Sequence, residues 1–291
     1  MSDAKTILLV LLGIIAVGFT AYWLGSIAKF RRAHADDPRV LPSAYELLVG
    51  FLTDFFDTLG IGSFATTTAL YRARHTIDDR LLPGTLNVGH TLPTVVQAFI
   101  YIQVIEVEVK TLVLMIAAAV AGSLVGAPIV AGWPRRNIQV GLGLALLVLS
   151  GVLIYRQVWT EPTTGTLGLE GGLLALGVAA NFVLGVLMTI GVGLYAPCLL
   201  LVSMLGMNPG TGFPIMMGSC AFLMPAASVP FIRRESYSPR AALGLTIAGI
   251  PAVLIAAYIV KSLPLGTVKW LIAAVVIYTA ITLLRAAARS R

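Results

Sequence analysis

The chain has 291 residues, of which 58% are apolar and only 11% are charged. A soluble domain carries roughly 25% charged residues, so this composition excludes an ordinary soluble globular protein. The formal net charge is +7, but the basic residues form short clusters between apolar runs. We therefore expect no nucleic-acid partner.

Apolar segments long enough to cross a bilayer follow one another along the chain. A transmembrane helix needs about 20 mostly apolar residues, and several runs reach that length. We predict an all-α polytopic membrane protein. Its apolar segments are 6–28, 44–72 (broken), 84–104, 109–131, 137–157, 170–205 (broken), 211–232, 240–261 and 268–287.

The first segment is predicted to be a transmembrane helix that the mature protein retains. It is longer than the apolar core of a signal peptide, lacks a small-residue cleavage site, and is followed by Lys29, Arg31 and Arg32. Residues 1–42 are therefore expected to form an extra N-terminal helix and a cytoplasmic linker.

Two of the apolar segments carry the same interruption. Residues 51–70 read FLTDFFDTLGIGSFATTTAL and residues 182–201 read FVLGVLMTIGVGLYAPCLLL, with six identities over the twenty positions. The breaks are Gly60-Ile61-Gly62 and Gly191-Val192-Gly193. This similarity predicts two repeats, 43–157 and 170–291, separated by an external loop at 158–169.

The Lys/Arg bias of short loops predicts the orientation of each segment, because basic loops favour the cytoplasm. Both ends of each broken segment then lie on one side, so each would be a re-entrant pair of half-helices followed by three transmembrane helices. An odd number of crossings makes the repeats inverted, with the N-terminus outside and the C-terminus cytoplasmic. A discontinuous segment that crosses fully would instead leave the second repeat parallel. The basic clusters are Lys29/Arg31/Arg32/Arg39, Arg72/Arg74/Arg80, Arg135/Arg136, Arg233/Arg234/Arg240 and Arg285/Arg289/Arg291.

The glycine breaks predict an anion site. Irregular backbone survives in a membrane only inside protein or beside a water-filled cavity, and glycine turns tightly without a Cβ clash. The half-helix after each break presents free N–H groups and a positive dipole end, and we expect Ser63 to cap the first one and to donate to a ligand. In the alternative interpretation, each Gly-x-Gly only permits close helix packing.

Polar residues after each break are expected to converge on the same cavity. Asn87, His90 and Thr91 follow the first break, and Ser219 and Cys220 follow the second, when Gly89 is aligned with Gly218. Gln97 lies two turns beyond His90. The predicted substrate-binding residues are Gly60, Ile61, Gly62, Ser63, Asn87, His90, Gly191, Val192, Gly193 and Ser219.

These features resemble the TauE/SafE sulfite exporter family of bacterial membrane proteins over nearly everything after residue 43. The resemblance implies two inverted four-segment repeats, a location in the bacterial inner membrane, and export of sulfite or small organosulfur anions. The chain departs from the family where Ser63-Phe64 and Leu194-Tyr195 replace further glycines, and in its Asp54/Asp57 pair. The matching motifs are Gly50-Phe51, Gly60-Ile61-Gly62, Pro83-Gly84-Thr85, and Gly191-Val192-Gly193 with Pro197.

Asp57 and Asp54 are the charged residues that call for a functional explanation. Asp57 lies three residues before the first break, where a carboxylate costs about 2.5–3.5 kcal/mol on insertion scales, and Asp54 lies one turn earlier on the same face. Three roles are open: proton transfer coupled to transport through Asp57, Asp54 and His90, a structural pair of Asp57 with His90, or direct cation binding.

The leading functional prediction is a secondary transporter that exports a small anion such as sulfite. A proton- or cation-coupled importer of an organosulfur or other small acid is the alternative. An intramembrane hydrolase using Ser63, His90 and Asp57 is a remote one, and a purely structural membrane scaffold is another. We expect no enzymatic activity, no cofactor and no metal, with Cys198 and Cys220 behaving as small hydrophobic residues. The expected partners are a small anion and the lipid bilayer, and a homodimer is left open.

Overall fold

The protein is mainly α-helical in the residues that the structure, a computed structural model, describes. These residues are 3–33, 41–130, 135–159, 165–189, 193–262 and 265–289. Within these residues, one isolated parallel β-bridge joins Thr166 and Met207. The helices are α1 (Asp3–Ala33), α2 (Ala44–Thr58), α3 (Ser63–Ala73), α4 (Leu82–Val104), α5 (Val109–Val130), α6 (Arg135–Trp159), α7 (Gly171–Thr189), α8 (Tyr195–Met204), α9 (Gly212–Arg233, after the 3₁₀ turn Pro209–Thr211), α10 (Pro239–Ser262) and α11 (Leu265–Arg289).

Five helices in the described part of the chain are long and apolar enough to cross a membrane. They correspond to α1, α7, α9 with its preceding 3₁₀ turn, α10 and α11. Many of their large apolar side chains are exposed, for example Val17, Leu176 and Tyr258. Such surfaces are expected to face lipid, and these helices indicate a membrane protein.

Helix α4 differs from the sequence prediction of an ordinary apolar crossing at 84–104. It is 23 residues long but is not among the helices apolar enough to qualify as a span. The reason is its polar content, which includes Asn87, His90 and Gln97. His90 and Gln97 are fully buried and Asn87 is half-buried. The helix therefore carries polar groups into the protein interior.

The first glycine break is confirmed. Helix α2 ends at Thr58 and α3 begins at Ser63, and between them Gly60 and Gly62 have φ values of 96° and 81°. Such positive φ values favour glycine. Helix α2 has 15 residues and α3 has 11. At about 1.5 Å per residue, neither covers the roughly 30 Å of a hydrocarbon core.

The helices on either side of the second break differ in length from the two half-helices that the sequence predicts. Helix α7 has 19 residues and is by itself long enough to cross a membrane, whereas α8 has 10 residues. Gly191 and Val192 lie outside the described residues. Gly193 is exposed, and α8 begins two residues after it.

The chain forms two compact units. The first contains Met1–Thr58, Gly62–Ile100 and Cys220–Ile259. In it, α1 packs through Phe19, Trp23 and Ile27 against a cluster that includes Val88 and Ile232. One face of α1 therefore belongs to the core of this unit.

Close backbone approach joins α2 and α4 to α10 inside the first unit. A Cβ on Gly50 would lie 2.7 Å from both the Gly244 carbonyl oxygen and the Leu245 Cα. The Thr246 hydroxyl donates to the Gly89 carbonyl at 2.6 Å. These contacts hold the three helices that surround the polar residues described below.

The second unit contains Leu59–Ile61, Tyr101–Ser219 and Val260–Arg291. Here α5 packs along α7, and α6 packs along α11. A Cβ on Gly185 would overlap the backbone of Ala119, and the Asn181 Nδ2 atom donates to the Met115 carbonyl at 2.7 Å. The α5–α7 contact therefore combines a glycine with an interhelical hydrogen bond.

Candidate functional site

A buried polar cluster lies inside the first unit, where α2 ends, α3 begins and α4 passes. Each of its members is at most 4% exposed, and they come from three helices. Four of them were predicted to belong to the site. The members are Asp54, Asp57, Thr58, Ser63, Thr67, His90 and Gln97.

The Asp57 carboxylate occupies the start of α3. Its Oδ1 atom accepts a hydrogen bond from the Ser63 backbone N–H at 2.5 Å. The position before the helix is Gly62, which has no side chain to cap it. The sequence prediction that Ser63 caps this helix is therefore wrong: Ser63 is the first helical residue, and the capping oxygen comes from Asp57.

Gln97 holds the other oxygen of the same carboxylate. Its Nε2 atom donates to Asp57 Oδ2 at 2.9 Å and to the Thr58 hydroxyl at 3.0 Å. Both carboxylate oxygens of Asp57 are thus hydrogen-bonded in the protein interior. This satisfies the general requirement that a buried charge be paired or hydrogen-bonded.

His90 is bonded through both ring nitrogens. Its Nδ1 atom lies 2.8 Å from Asp54 Oδ1, and its Nε2 atom lies 3.0 Å from the Thr67 hydroxyl. The pairing of His90 with Asp57, one of the three roles left open by the sequence, is therefore not formed, and the partner is Asp54. Neither ring nitrogen bonds Ser63, so the Ser63–His90–Asp57 arrangement that a hydrolase would need is not formed here.

The second oxygen of Asp54 has no hydrogen-bond partner. Asp54 is fully buried, and its Oδ2 atom is one of the few buried polar atoms among the described residues left without a partner. This oxygen faces Gly249 on α10, where an added Cβ would overlap it and would lie 2.8 Å from the Pro93 ring. The site is accordingly asymmetric, with Asp57 fully bonded and Asp54 bonded on one side only.

Other residues predicted for the site lie apart from this cluster. The Asn87 amide donates to the Pro83 carbonyl of its own helix at 2.9 Å. Ser219 belongs to the second unit, where its hydroxyl donates to the Ile215 carbonyl at 2.7 Å and accepts from Asn181 at 3.3 Å. The described structure thus gives Asn87 and Ser219 local hydrogen-bonding partners.

The remaining predicted residues are at or near the glycine breaks. Gly60 belongs to the second unit, where an added Cβ would lie 3.0 Å from the Leu199 side chain. Ile61 and Gly62 are half-buried. Gly62 has open space around it, with nothing within 4 Å of an added Cβ.

Thr67 and Gly249 were missed by sequence reasoning. Thr67 lies four residues after Ser63, and that spacing on one helix face is a signal that could have identified it. Gly249 lies nearly 200 residues from Asp54 in the chain, and no local pattern connects the two.

No metal-binding cluster was found within the described ranges, since no group of three or more His, Cys, Asp or Glu side chains there could hold a metal ion. Comparisons with models of known protein families, with curated proteins and with solved structures found no match to this chain. A functional assignment therefore depends on the chemistry of the buried cluster.

Proposed function

We propose that the protein is a secondary membrane transporter of a small anion, with export of sulfite or a small organosulfur anion as its activity. The observation that carries this proposal is the Asp57 carboxylate bound to the first N–H of α3. A helix start next to a break already holds an anionic group in the interior of a chain rich in apolar helices.

The carboxylate of Asp57 can act as a stand-in for a transported anion. A helix start attracts anions because its first N–H groups are free and the dipole end is positive. Sulfite, like a carboxylate, offers negatively charged oxygens that accept hydrogen bonds. A substrate anion would compete with Asp57 for the Ser63 N–H, and the displaced carboxylate would remain bonded to Gln97.

Matching contacts in the two units support a repeated architecture. Three contacts in the first unit have counterparts in the second, at sequence offsets of 129 to 131 residues. Each contact joins a helix of one proposed repeat to a helix of the other. Helix α10 of the second repeat packs on α2 and α4 of the first, and α5 of the first repeat packs on α7 and α9 of the second. The pairs are Gly50·Leu245 with Asn181·Met115, Asp54·Gly249 with Gly185·Ala119, and Gly89·Thr246 with Gly218·Ile116.

We further propose that the repeats are inverted, that the chain is a member of the TauE/SafE family, and that it lies in a bacterial inner membrane with its N-terminus outside. The motifs shared with that family and the distribution of basic loops support these statements. The 15- and 11-residue lengths of α2 and α3 are compatible with a re-entrant hairpin.

The substrate is tested by radiolabelled sulfite uptake into proteoliposomes that contain the purified protein. We expect uptake above that of protein-free liposomes, and inhibition by an excess of unlabelled small alkanesulfonate. Asp79→Asn should keep this uptake, because Asp79 is an exposed carboxylate paired with Arg72 on the protein surface. Absence of sulfite uptake by a folded preparation would contradict the substrate assignment.

The direction of transport is tested separately. A secondary transporter moves its substrate down the combined gradients, so the same site serves export and import. Everted membrane vesicles that accumulate sulfite, with right-side-out vesicles that lose it, would support export. The opposite pattern would support the importer.

A further inference from the structure

We propose that Asp54 and His90 form one proton-binding site that holds a single exchangeable proton, and that Gly249 positions its carboxyl group. This deepens the proposed function, because it identifies the coupling ion and separates the proton site from the anion-binding role of Asp57. The binding of the proton can nevertheless be measured without any transported substrate.

Hydrogen-bond counting distinguishes the two carboxylates. Asp57 accepts from the Ser63 N–H and from Gln97, so both of its oxygens have donors. Asp54 has one bond, to His90, and its Oδ2 atom has none. A buried carboxylate oxygen without a donor is costly, whereas the carbonyl oxygen of a neutral carboxylic acid in the same position costs much less.

Charge counting indicates that the pair holds one proton while it is buried. With one proton the pair is neutral, either as carboxylic acid with imidazole or as carboxylate with imidazolium. In both forms the proton lies in the 2.8 Å bond between Nδ1 and Oδ1. Removing it leaves a buried net charge of −1, and adding a second leaves +1, and both states are penalised by desolvation.

The surroundings contain few other ionisable groups. Asp57 approaches from α2, and Tyr71 of α3 lies close enough to interact electrostatically with Asp54 and with Glu46 at the start of α2. Helix α10 faces the pair with Gly249. The Thr67 hydroxyl bonds the far nitrogen of His90, Nε2. It accepts from Nε2–H while the pair holds its proton, and it can donate to Nε2 once the proton has left and the remaining hydrogen lies on Nδ1.

Gly249 leaves room for the carboxyl group. At the corresponding contact of the second unit, Gly185 stands at the position of Asp54 and Ala119 stands at the position of Gly249, and the backbone of Ala119 closely approaches Gly185. In the first unit the larger side chain is Asp54, and position 249 has no Cβ. An alanine there would overlap the Asp54 Oδ2 atom and displace the carboxyl group from its present place beside His90, so Gly249 is a positioning residue for the proton site.

Proton exchange requires water to reach the pair. When the site opens, the proton leaves to water and the pair changes from neutral to a net charge of −1. When the site then opens to the opposite side of the membrane, a proton from that side neutralises the pair again. One proton per cycle would be carried in this way, independently of the hydrogen bonds that hold Asp57.

The proposal is tested by infrared-detected pH titration of the protein in lipid nanodiscs without substrate. We expect one protonation transition of this pair that both Asp54→Asn and His90→Gln abolish. In Asp54→Asn the buried imidazole would stay neutral, and in His90→Gln the buried Asp54 would stay a neutral carboxylic acid, because a single unpaired charge would be desolvated there. Asp57→Asn should keep the transition. Gly249→Ala should keep it with a midpoint moved by about one pH unit, which is a tenfold change in proton affinity.

Several results would overturn the proposal. These are a wild-type protein without such a transition, a transition that survives in Asp54→Asn, and a transition lost in Asp57→Asn. An unmoved midpoint in Gly249→Ala would remove the positioning role. If the Asp54 variant fails to fold, the presence of the transition in the wild type and the position of its midpoint in Gly249→Ala still test the proposal. Because no substrate is present, failure of sulfite uptake would leave this result unaffected.

Discussion

The Asp57 carboxylate caps the helix that begins six residues after it, with Oδ1 2.5 Å from the Ser63 backbone nitrogen. A loop of four residues, 59–62, separates α2 from α3, and Gly60 and Gly62 have the positive φ values that let the chain turn back. The anion site that the sequence predicts at this helix start is therefore occupied by the protein's own negative charge.

Removing the Ser63 N–H should weaken anion binding. Proline is tolerated at the first position of a helix, where it removes a donor that has no partner within the helix. In an Asp57→Asn background, where no side-chain anion competes, Ser63→Pro should raise the KM for sulfite about 10- to 100-fold, the effect of one hydrogen bond to a charged group. Uptake kinetics in proteoliposomes measure this change.

Ser63→Ala in the same background is the matched control. It keeps the backbone N–H and removes the hydroxyl, so its KM should change far less than that of the proline variant. Equal effects of proline and alanine would argue against an anion site at the backbone of α3.

Gly50 should be intolerant of a side chain. A Cβ there would lie 2.7 Å from backbone atoms of Gly244 and Leu245, which cannot move aside as a flexible side chain could. We expect Gly50→Ala to destabilise the protein by about 1–3 kcal/mol, as overpacking usually does. The midpoint of thermal unfolding in detergent measures the effect.

Gly18 on α1 provides the control for this substitution. Nothing lies within 4 Å of a Cβ at that position, and alanine favours a helix over glycine by up to about 1 kcal/mol. Gly18→Ala should leave the unfolding midpoint unchanged or raise it. A Gly50→Ala midpoint as high as the wild-type value would contradict the close approach of α2 to α10.

The Glu46 carboxylate joins the starts of α2 and α10. Its Oε2 atom accepts from the Ser43 N–H and hydroxyl and from the Arg240 guanidinium at 2.9 Å, and Glu46 is 3% exposed. Glu46→Ala leaves these donors unpaired and should cost about 1–3 kcal/mol. The exposed pair of Arg72 and Asp79 is the control, and Asp79→Ala should cost at most about 1 kcal/mol. Equal shifts of the unfolding midpoint in the two variants would contradict this difference.

The re-entrant path of α2 and α3 predicts that both flanking loops lie on the cytoplasmic side. Leu41 precedes α2 and Asp78 follows α3, and both are exposed. In oriented vesicles, Leu41→Cys and Asp78→Cys should react with an impermeant maleimide from the same side. The two native cysteines are buried and should stay unlabelled. Labelling from opposite sides would show that the segment crosses fully and would leave the repeats parallel.

Much of the fold was predictable because helix boundaries in this chain follow glycine, proline and charge. The break at Gly60 and Gly62 could be read from the sequence since a turn at positive φ needs glycine. The Glu46 contact could have been read as well, because Ser43 and Glu46 have the spacing of a capping box.

The pairing within the site could not be predicted from local spacing. Asp54 and Asp57 share a helix face, so either could have reached His90. The choice depends on where α4 and α10 lie, and Gly249 gives Asp54 its place. Likewise, the capping of α3 by Asp57 depends on how the chain turns between residues 59 and 62. Such long-range packing leaves no periodic signal in the sequence.

The most direct test of the anion site is the KM for sulfite uptake by Asp57→Asn in proteoliposomes, measured with and without a pH gradient and compared with wild type and Asp79→Asn. We predict a lower KM for Asp57→Asn, because the competing charge at the Ser63 N–H is gone, with stimulation by the pH gradient retained. An unchanged or higher KM would mean that sulfite does not compete with Asp57, and the helix start would not be the anion site.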